Sequence, residues 1–479
     1  MYHLMMNKLI IFLYYYLNNN IKIFMYRDED IDKIQENINK IIDNSHNEYK
    51  KTYEPTLSEV TKVYNAIKDY IIRTKKIAYG GFAQNTLLMN KNKSDSFYKI
   101  IDGVFYNFPD VADLEFYSPN PVKDMVELLE ELYKQGFKHI EGKNGVHNGT
   151  YKIFVNFINY CDIAYMPEYI YNNLPTITTD NNIRCAHPHF MVCDAYRIMT
   201  DPMTSYWRLE KAINRFNRLI NYYPITNEKT ADKSFQLIKP DNDIMRYIRK
   251  NIVHKSKLIV VGFYAFDYYN NKIIDSQHDK EYPYYELITD DIIRDADMIN
   301  KQLKTKYGDK ITIKQFSPFL EFFDRRVEFY HDNKLILRLF GNNKRCVVYR
   351  YSNNKTTYFG TYNLTYMYLL FDYFYNIINK KHNESEIYSI LLSKIAIIRN
   401  TYLENHNITV IEPSPFQDFT LKCLGEPVDI IREFRLQKNK SSKFNYKPSG
   451  KMINIPKIIF DNISGNEILD IKKLFYKNI

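Results

Sequence analysis

Two adjacent glycines stand between an apolar run and a helix-forming one in Lys76-Ile77-Ala78-Tyr79-Gly80-Gly81-Phe82-Ala83-Gln84-Asn85-Thr86-Leu87-Leu88-Met89. The chain has only 14 glycines in 479 residues, so a pair at this place constrains the local fold strongly. Glycine accepts left-handed backbone and lets other groups approach closely. The pattern predicts a strand over Lys76–Tyr79, a tight turn at Gly80 and Gly81, and a helix over Phe82–Met89. Downstream, Val111-Ala112-Asp113-Leu114-Glu115-Phe116 alternates apolar and acidic residues, the period of a strand. Asp113 and Glu115 then share one face, about 6–7 Å apart.

Two carboxylates on one face repel each other unless a cation lies between them. Asp162, in Cys161-Asp162-Ile163-Ala164-Tyr165, falls on a later apolar strand and offers a third oxygen donor. Three carboxylates on neighbouring strands suit two Mg²⁺ ions about 4 Å apart, which activate a hydroxyl and steady a leaving pyrophosphate. The free N–H groups of a helix starting at Gly80 and Gly81 suit the β,γ-phosphates of a nucleotide. Arg208 and Lys211, on a basic helical stretch, are candidates to neutralise a triphosphate. Each feature alone has a plainer reading. A glycine pair is usually a turn, and Asp-x-Glu usually marks a strand with one wet face. Asp162 alone could be a paired core carboxylate, and His147 a loop hydrogen-bonder. Their combination, in this order, favours metal-dependent chemistry.

Along the chain, helical periodicity covers Asp28–Tyr49, Thr56–Arg73, Pro121–Gln135 (stopped by Gly136), Ala195–Tyr222, Asp290–Tyr307, Tyr362–Asn379 and Ser385–Glu404. Strands are predicted over Phe137–Glu141, Tyr151–Phe157 and Cys161–Tyr165. Strands with helices on them make an α+β or α/β unit. A faint internal repeat sets Leu258–Tyr269 against Ile77–Leu88, Lys334–Phe340 against Tyr151–Phe157, and Cys346–Tyr349 against Cys161–Tyr165. On that alignment Val347 replaces Asp162, so the second copy lacks the chemistry. The expected domains are an N-terminal extension and helix (1–52), a catalytic domain (53–195), a helical connector and linker (196–250), a degenerate copy (251–355) and a helical C-terminal region with a basic loop (356–479).

Net charge is +10, which favours a polyanionic partner. Gln437–Lys451 holds five lysines with Phe444 and Tyr446, and Asn342-Asn343-Lys344-Arg345 forms a smaller basic patch, so both are candidate contacts for a single-stranded nucleic acid. The five cysteines are odd in number and scattered, which argues against a disulfide framework and fits a reducing compartment. The cluster Cys185, His187, His189 and Cys193 is too compressed for a zinc finger. Leu9–Leu17 is apolar but too short to span a bilayer, and no cleavage site follows it. Met25 is an alternative start, which would make the preceding residues a loosely attached extension.

The segments Ala78–Leu88, Asp113–Leu129, His147–Phe157, Cys161–Pro167 and Asp194–Lys211 resemble the poly(A) polymerase catalytic subunits of large DNA viruses (poxviruses and giant viruses), within the polymerase-beta-like nucleotidyltransferase superfamily. The resemblance implies an α+β fold: a nucleotidyltransferase palm domain, a second, degenerate domain of similar topology, and a helical C-terminal region. It implies template-independent addition of AMP from ATP to RNA 3′ ends, with Asp113, Glu115 and Asp162 binding two Mg²⁺ or Mn²⁺ ions and Gly80 and Gly81 holding the triphosphate. It further implies a homodimer or a separate processivity subunit as partner, no membrane, and work in the host cytoplasm (viral factory) and the virion. Three departures stand out: Glu115 where many relatives have Asp, Gly81 where many have Ser, and a long gap from Gly81 to Asp113. Competing expectations are another nucleotidyltransferase (an oligonucleotide synthase or terminal uridylyltransferase) and a silent RNA-binding or processivity subunit.

Overall fold

The computed structural model describes residues 26–53, 55–107, 110–145, 149–225, 228–233, 242–272, 282–316, 325–342, 345–352, 356–426 and 445–450. Leu9–Leu17, His147, Asn343, Lys344 and most of Gln437–Lys451 lie outside them. Among the described residues no helix is long and apolar enough to cross a membrane. The described residues fall into two compact parts that divide between Glu59 and Val60, within the helix Leu57–Arg73.

The first part carries helix α1 (Asp28–Tyr53). Asp28, Glu29 and Asp30 in its first turn complement the positive end of the helix dipole. Ile31, Ile34, Ile38 and Ile41 recur at helical spacing and are exposed.

The second part begins its core with helix α2 (Leu57–Arg73), which buries Val60, Val63, Tyr64, Ile67, Tyr70 and Ile71 on one face. Seven strands then build one sheet: β1 (Ile77–Ala78), β2 (Leu114–Ser118), β3 (Glu141–Asn144), β4 (Thr150–Val155), β5 (Ile158–Tyr165), β6 (Thr176–Thr178) and β7 (Arg184–Ala186). Their spatial order is β3-β4-β5-β2-β1-β7-β6. Helix α3 (Gly80–Lys91) follows β1 directly, and α4 (Pro121–Lys134) packs on β4 through a face that buries Val122, Met125, Leu128, Leu129 and Leu132. Gly136, with φ +88°, turns the chain out of α4. The strand expected over Phe137–Glu141 begins only at Glu141, because His139 takes a left-handed φ of 49° that a strand cannot hold.

The helix expected over Ala195–Tyr222 is divided. Helix α5 (Pro188–Thr200) ends at Asp201, and α6 (Leu209–Tyr222) begins after one short helical turn (Pro202–Ser205) and a 3-10 turn (Tyr206–Arg208). Pro202 has no N–H to continue the ladder, and the Asp201 carboxylate accepts from Thr204 N instead.

A second sheet is built from β8 (Ile259–Val261), β9 (Tyr285–Thr289), β10 (Ile311–Phe316), β11 (Arg326–His331), β12 (Lys334–Gly341), β13 (Val347–Tyr351) and β14 (Tyr358–Gly360). Its order is β10-β11-β12-β9-β8-β14-β13. The alternation of parallel and antiparallel pairs matches the first sheet strand for strand, with β5 parallel to β2 and β12 parallel to β9. Helices α7 (Gly262–Asn270), α8 (Ile292–Tyr307) and α9 (Tyr362–Ile378) take the places of α3, α4 and α5. The final long helix is α10 (His382–His406), packed on α9. Each sheet gains one late strand: β15 (Cys423–Leu424) pairs with β13, and β16 (Asn445–Tyr446) pairs with β3.

The repeat is therefore real in topology, but the sequence alignment of its later strands was one strand out. The counterpart of β5 is β12, not Cys346–Tyr349, which lies on and beside β13. Opposite Glu115 stands Asp162; opposite its counterpart Glu286 stands Arg338. So Arg338, not Val347, holds the third carboxylate's place. The two halves of this part meet through α5 and α9, where Phe190 meets Phe374 (ring centroids 5.3 Å apart) and Tyr196 meets Tyr366 (4.9 Å).

Candidate active site

Strand alternation positions the acids. Along Ala112–Ser118 the side chains alternate buried and half-buried, and Asp113 and Glu115 are on the half-buried face. Asp113 lies one residue before β2, and Glu115 within it. Parallel pairing with β5 sets Glu115 opposite Asp162. The Glu115 carboxylate accepts from Phe82 N at the start of α3 (3.3 Å). Gly80 has φ +62°, and a Cβ there would overlap the Glu115 carboxylate. Gly262 repeats this in the second sheet, with φ +65° and the Glu286 carboxylate in the same position. The first glycine is thus required by the packing of an acid against a helix start, even where the other two acids are missing. The second is not repeated: Phe263 stands in place of Gly81.

Asp162 is held by two neighbours that the sequence reading did not single out. Both its oxygens lie 2.6 Å from Lys152 Nζ, and Asn159 Nδ2 donates to it at 3.0 Å. Lys152 sits directly opposite Asp162 across the β4–β5 hairpin, whose turn is Asn156 and Phe157, both with positive φ. The strand expected over Tyr151–Phe157 ran through this turn, which hid the register. The second sheet has the same hairpin with the charges exchanged: Glu328 stands opposite Arg338. Arg338, buried, also meets Asp372 (2.6 Å) and Glu286 (3.3 Å), so this half carries its own internal cation.

Burial, then the Asp162 charge, pushes the Asp113 carboxyl up to about 6, against the pull of Lys152 and Asn159. Burial first, then Asp162 and Asp113, pushes Glu115 up to about 7. Such mutual repulsion is what a bound dication relieves, and an all-oxygen donor set suits Mg²⁺ or Mn²⁺. As the side chains stand, no three His, Cys, Asp or Glu among the described residues converge to enclose a metal. Lys152 occupies Asp162, and Glu115 is turned to the start of α3. Rotation of these side chains is needed before Asp113, Glu115 and Asp162 share an ion.

Arg208, Lys211, Arg215 and Arg218 recur at helical spacing beside α3, the first just before α6 and the others on it. The Lys211 ammonium is held below its ordinary value by partial burial and by Arg215, against the pull of Glu115 and Asp113, which places it near the acids. Arg208 is exposed and acts on Lys211 as a like charge. Arg215 reaches further in: Nη2 donates to Tyr98 Oη (2.9 Å), and its guanidinium lies 4.3 Å from the Phe97 ring centroid.

The other sequence candidates have structural partners. His187 caps α5 by accepting from His189 N (3.3 Å), and His189 Nε2 lies 3.2 Å from Tyr223 O. Tyr446 is not in a free loop: it extends the first sheet through β16, and its hydroxyl donates to Glu130 (2.6 Å). Asn342 donates through Nδ2 to Arg345 O (3.0 Å).

Two like-built sheets, one retaining three acids at a glycine-led helix and one that has lost two of them, define a nucleotidyltransferase-type catalytic subunit. The family model described as "Poly(A) polymerase catalytic subunit" matches residues 65–205, and that described as "APMV, Putative poly(A) polymerase, catalytic subunit, C-terminal" matches residues 217–478. The chain belongs to the poly(A) polymerase catalytic subunit family of large DNA viruses, and is an enzyme of that class. A protein of Acanthamoeba polyphaga mimivirus, provisionally named as such a subunit, is 28% identical over 506 residues, covering 94% of this chain and 84% of the relative. An African swine fever virus protein (strain Badajoz 1971 Vero-adapted) with the same provisional name is 29% identical over 178 residues, 36% of this chain and 35% of its own length. The crystal structure of the Megavirus polyadenylate synthase superposes with a TM-score of 0.76 and 28% identity, covering 89% of this chain and 87% of that one. The family implies ATP as substrate and a divalent metal in general terms.

Proposed function

We propose that the chain adds AMP from ATP to RNA 3′ ends without a template, with Asp113, Glu115 and Asp162 as ligands of two divalent ions. The observation that carries this is the parallel pairing that sets Glu115 opposite Asp162, with Asp113 two residues upstream and the start of α3 alongside. When bound, Mg²⁺ or Mn²⁺ supplies an acidified 3′-hydroxyl and charge neutralisation for the departing pyrophosphate.

The chain's own groups do the positioning. Lys152 and Asn159 hold Asp162 in place, and Lys152 would have to release it for Asp162 to serve as a metal ligand. Gly80 and Gly81 expose the N–H groups of the first turn of α3 to the triphosphate. Lys211, with Arg208 beside it, balances the triphosphate charge. Tyr206 and Trp207, 68% and 52% exposed and stacked edge to face, precede Arg208. Exposed aromatic rings beside basic residues suit the bases and backbone of single-stranded RNA. Action as a homodimer or with a processivity subunit, and a place in the viral factory and virion, belong to this reading through family likeness.

The test is primer extension with a short labelled RNA, each NTP separately, Mg²⁺ or Mn²⁺, and the Asp113→Ala variant. The expected result is tailing with ATP that disappears in the variant and in EDTA. Equal tailing with all four nucleotides, or an Asp113→Ala enzyme that still extends, sinks the assignment.

A further inference from the structure

Gly81 leaves this turn without the side-chain hydroxyl that serine supplies in many related sites, and the structure contains a replacement. A Cβ on Gly81 would overlap Tyr98 Oη and lie 2.6 Å from Arg215 Nη1. The space that a serine side chain would enter is therefore already filled by a phenol hydroxyl and a guanidinium, both brought from elsewhere in the chain. Tyr98 is 8% exposed, and Glu115 and Asp113 both act on its phenol, so it faces the acids. Its oxygen accepts from Arg215 Nη2 at 2.9 Å, while its own hydroxyl proton has no acceptor among the described residues.

The segment that presents Tyr98 is built in. Buried Asn85, on α3, accepts from Phe97 N (2.9 Å) and from Ser96 Oγ (3.1 Å). From α6, Arg218 Nη1 donates to Asp95 O (3.3 Å) and the Tyr222 hydroxyl bonds the Asp95 carboxylate. Residues 95–98 thus bridge α3 and α6. In the second sheet, Phe263 fills the place of Gly81 and packs on Tyr284 and Tyr388, so the glycine covered by a hydroxyl and a guanidinium stands beside the three acids and is not repeated there.

The geometry points to Tyr98 and Arg215 as the phosphate contact of the nucleotide site: the Tyr98 hydroxyl donates to a non-bridging oxygen of the triphosphate, and Arg215 supplies the charge and holds the phenol. This rests on the reading of the site given under Proposed function. Gly81 is glycine because the hydroxyl comes from Tyr98.

Tyr98→Phe keeps the ring packing and removes only the donor. Its KM for ATP should rise about ten- to a hundredfold with kcat within about twofold, the size of one hydrogen bond to a charged group. Inhibition by inorganic tripolyphosphate should weaken by the same factor, and inhibition by adenosine should not change. Adding Gly81→Ser to Tyr98→Phe should recover most of the loss, whereas Gly81→Ser alone should impair the enzyme because Tyr98 occupies the space. Unchanged ATP and tripolyphosphate affinity in Tyr98→Phe, a loss shared equally by adenosine, or no recovery in the double variant overturns the inference. A wild-type protein that binds tripolyphosphate through Tyr98 yet extends no RNA with ATP sinks the polymerase reading instead.

Discussion

At the scale of single residues, burial moves titrating groups in opposite directions according to their charge. It raises Asp113 and Glu115, and it lowers His187, helped by the neighbouring His189, to about 4. An unfolded histidine takes up its proton near pH 6.5. Below that pH the unfolded chain binds a proton that folded His187 refuses, so stability falls as pH drops from about 6.5 to about 4 and then levels. The shift corresponds to at most about 3–4 kcal/mol. His187→Asn keeps an acceptor for the start of α5 and has no charge to gain. Urea melts at pH 7 and pH 4.5 should therefore show a smaller acid loss in the variant; an identical loss would place the acid sensitivity elsewhere. The acids of the site were legible because a two-residue period carries Asp113 and Glu115 on one face. Tyr98 and Arg215 were not, because their contact joins residues 117 apart, and no local pattern marks such a pair.

At the scale of elements, the two hairpins β4–β5 and β11–β12 differ in the charge that their second strand sets opposite a glutamate: Asp162 opposite Glu115, and Arg338 opposite Glu286. Lys152 opposite Asp162 is a partly exposed pair, its lysine 26% and its aspartate 17% exposed. Arg338 opposite Glu328 is closed in, among Glu286, Glu328 and Asp372, with Tyr284 under the guanidinium. Removing a partner from a buried ionic cluster leaves uncompensated charge, at a cost of about 3–5 kcal/mol. Arg338→Met should lose about that much in chemical denaturation, while Lys152→Met should lose under about 1 kcal/mol. A loss under about 1 kcal/mol in Arg338→Met as well would mean that the second half does not depend on its internal cation. The presence of a repeat was legible in the glycine-led helix starts. Its alignment was not, because neighbouring strands share one apolar alternation; the distinguishing mark is the charge pair ten residues apart in each hairpin.

At the scale of the whole molecule, the cysteines show what spacing along a chain cannot reveal. Five scattered thiols suggested no disulfide and a reducing compartment, yet antiparallel pairing of β13 with β15 brings Cys346 and Cys423 together across 77 residues, with their Cα atoms 5.3 Å apart and the sulfurs bonded. The other three, Cys161, Cys185 and Cys193, are free and buried in the first half of this part. The bridge ties β15, only two residues long, to the edge of the second sheet. Closing a loop of that length restricts the unfolded chain by about 4–5 kcal/mol in the chain-entropy model. Alkylation of the denatured, unreduced protein should therefore label three cysteines, and five after reduction. Cys346→Ser with Cys423→Ser should lower the melting temperature, and a reducing agent should lower that of the wild type but not that of the double variant. Five labelled cysteines without reduction would mean that β15 is held by its strand pairing alone, and would return the chain to the reducing chemistry that its cysteine spacing suggests.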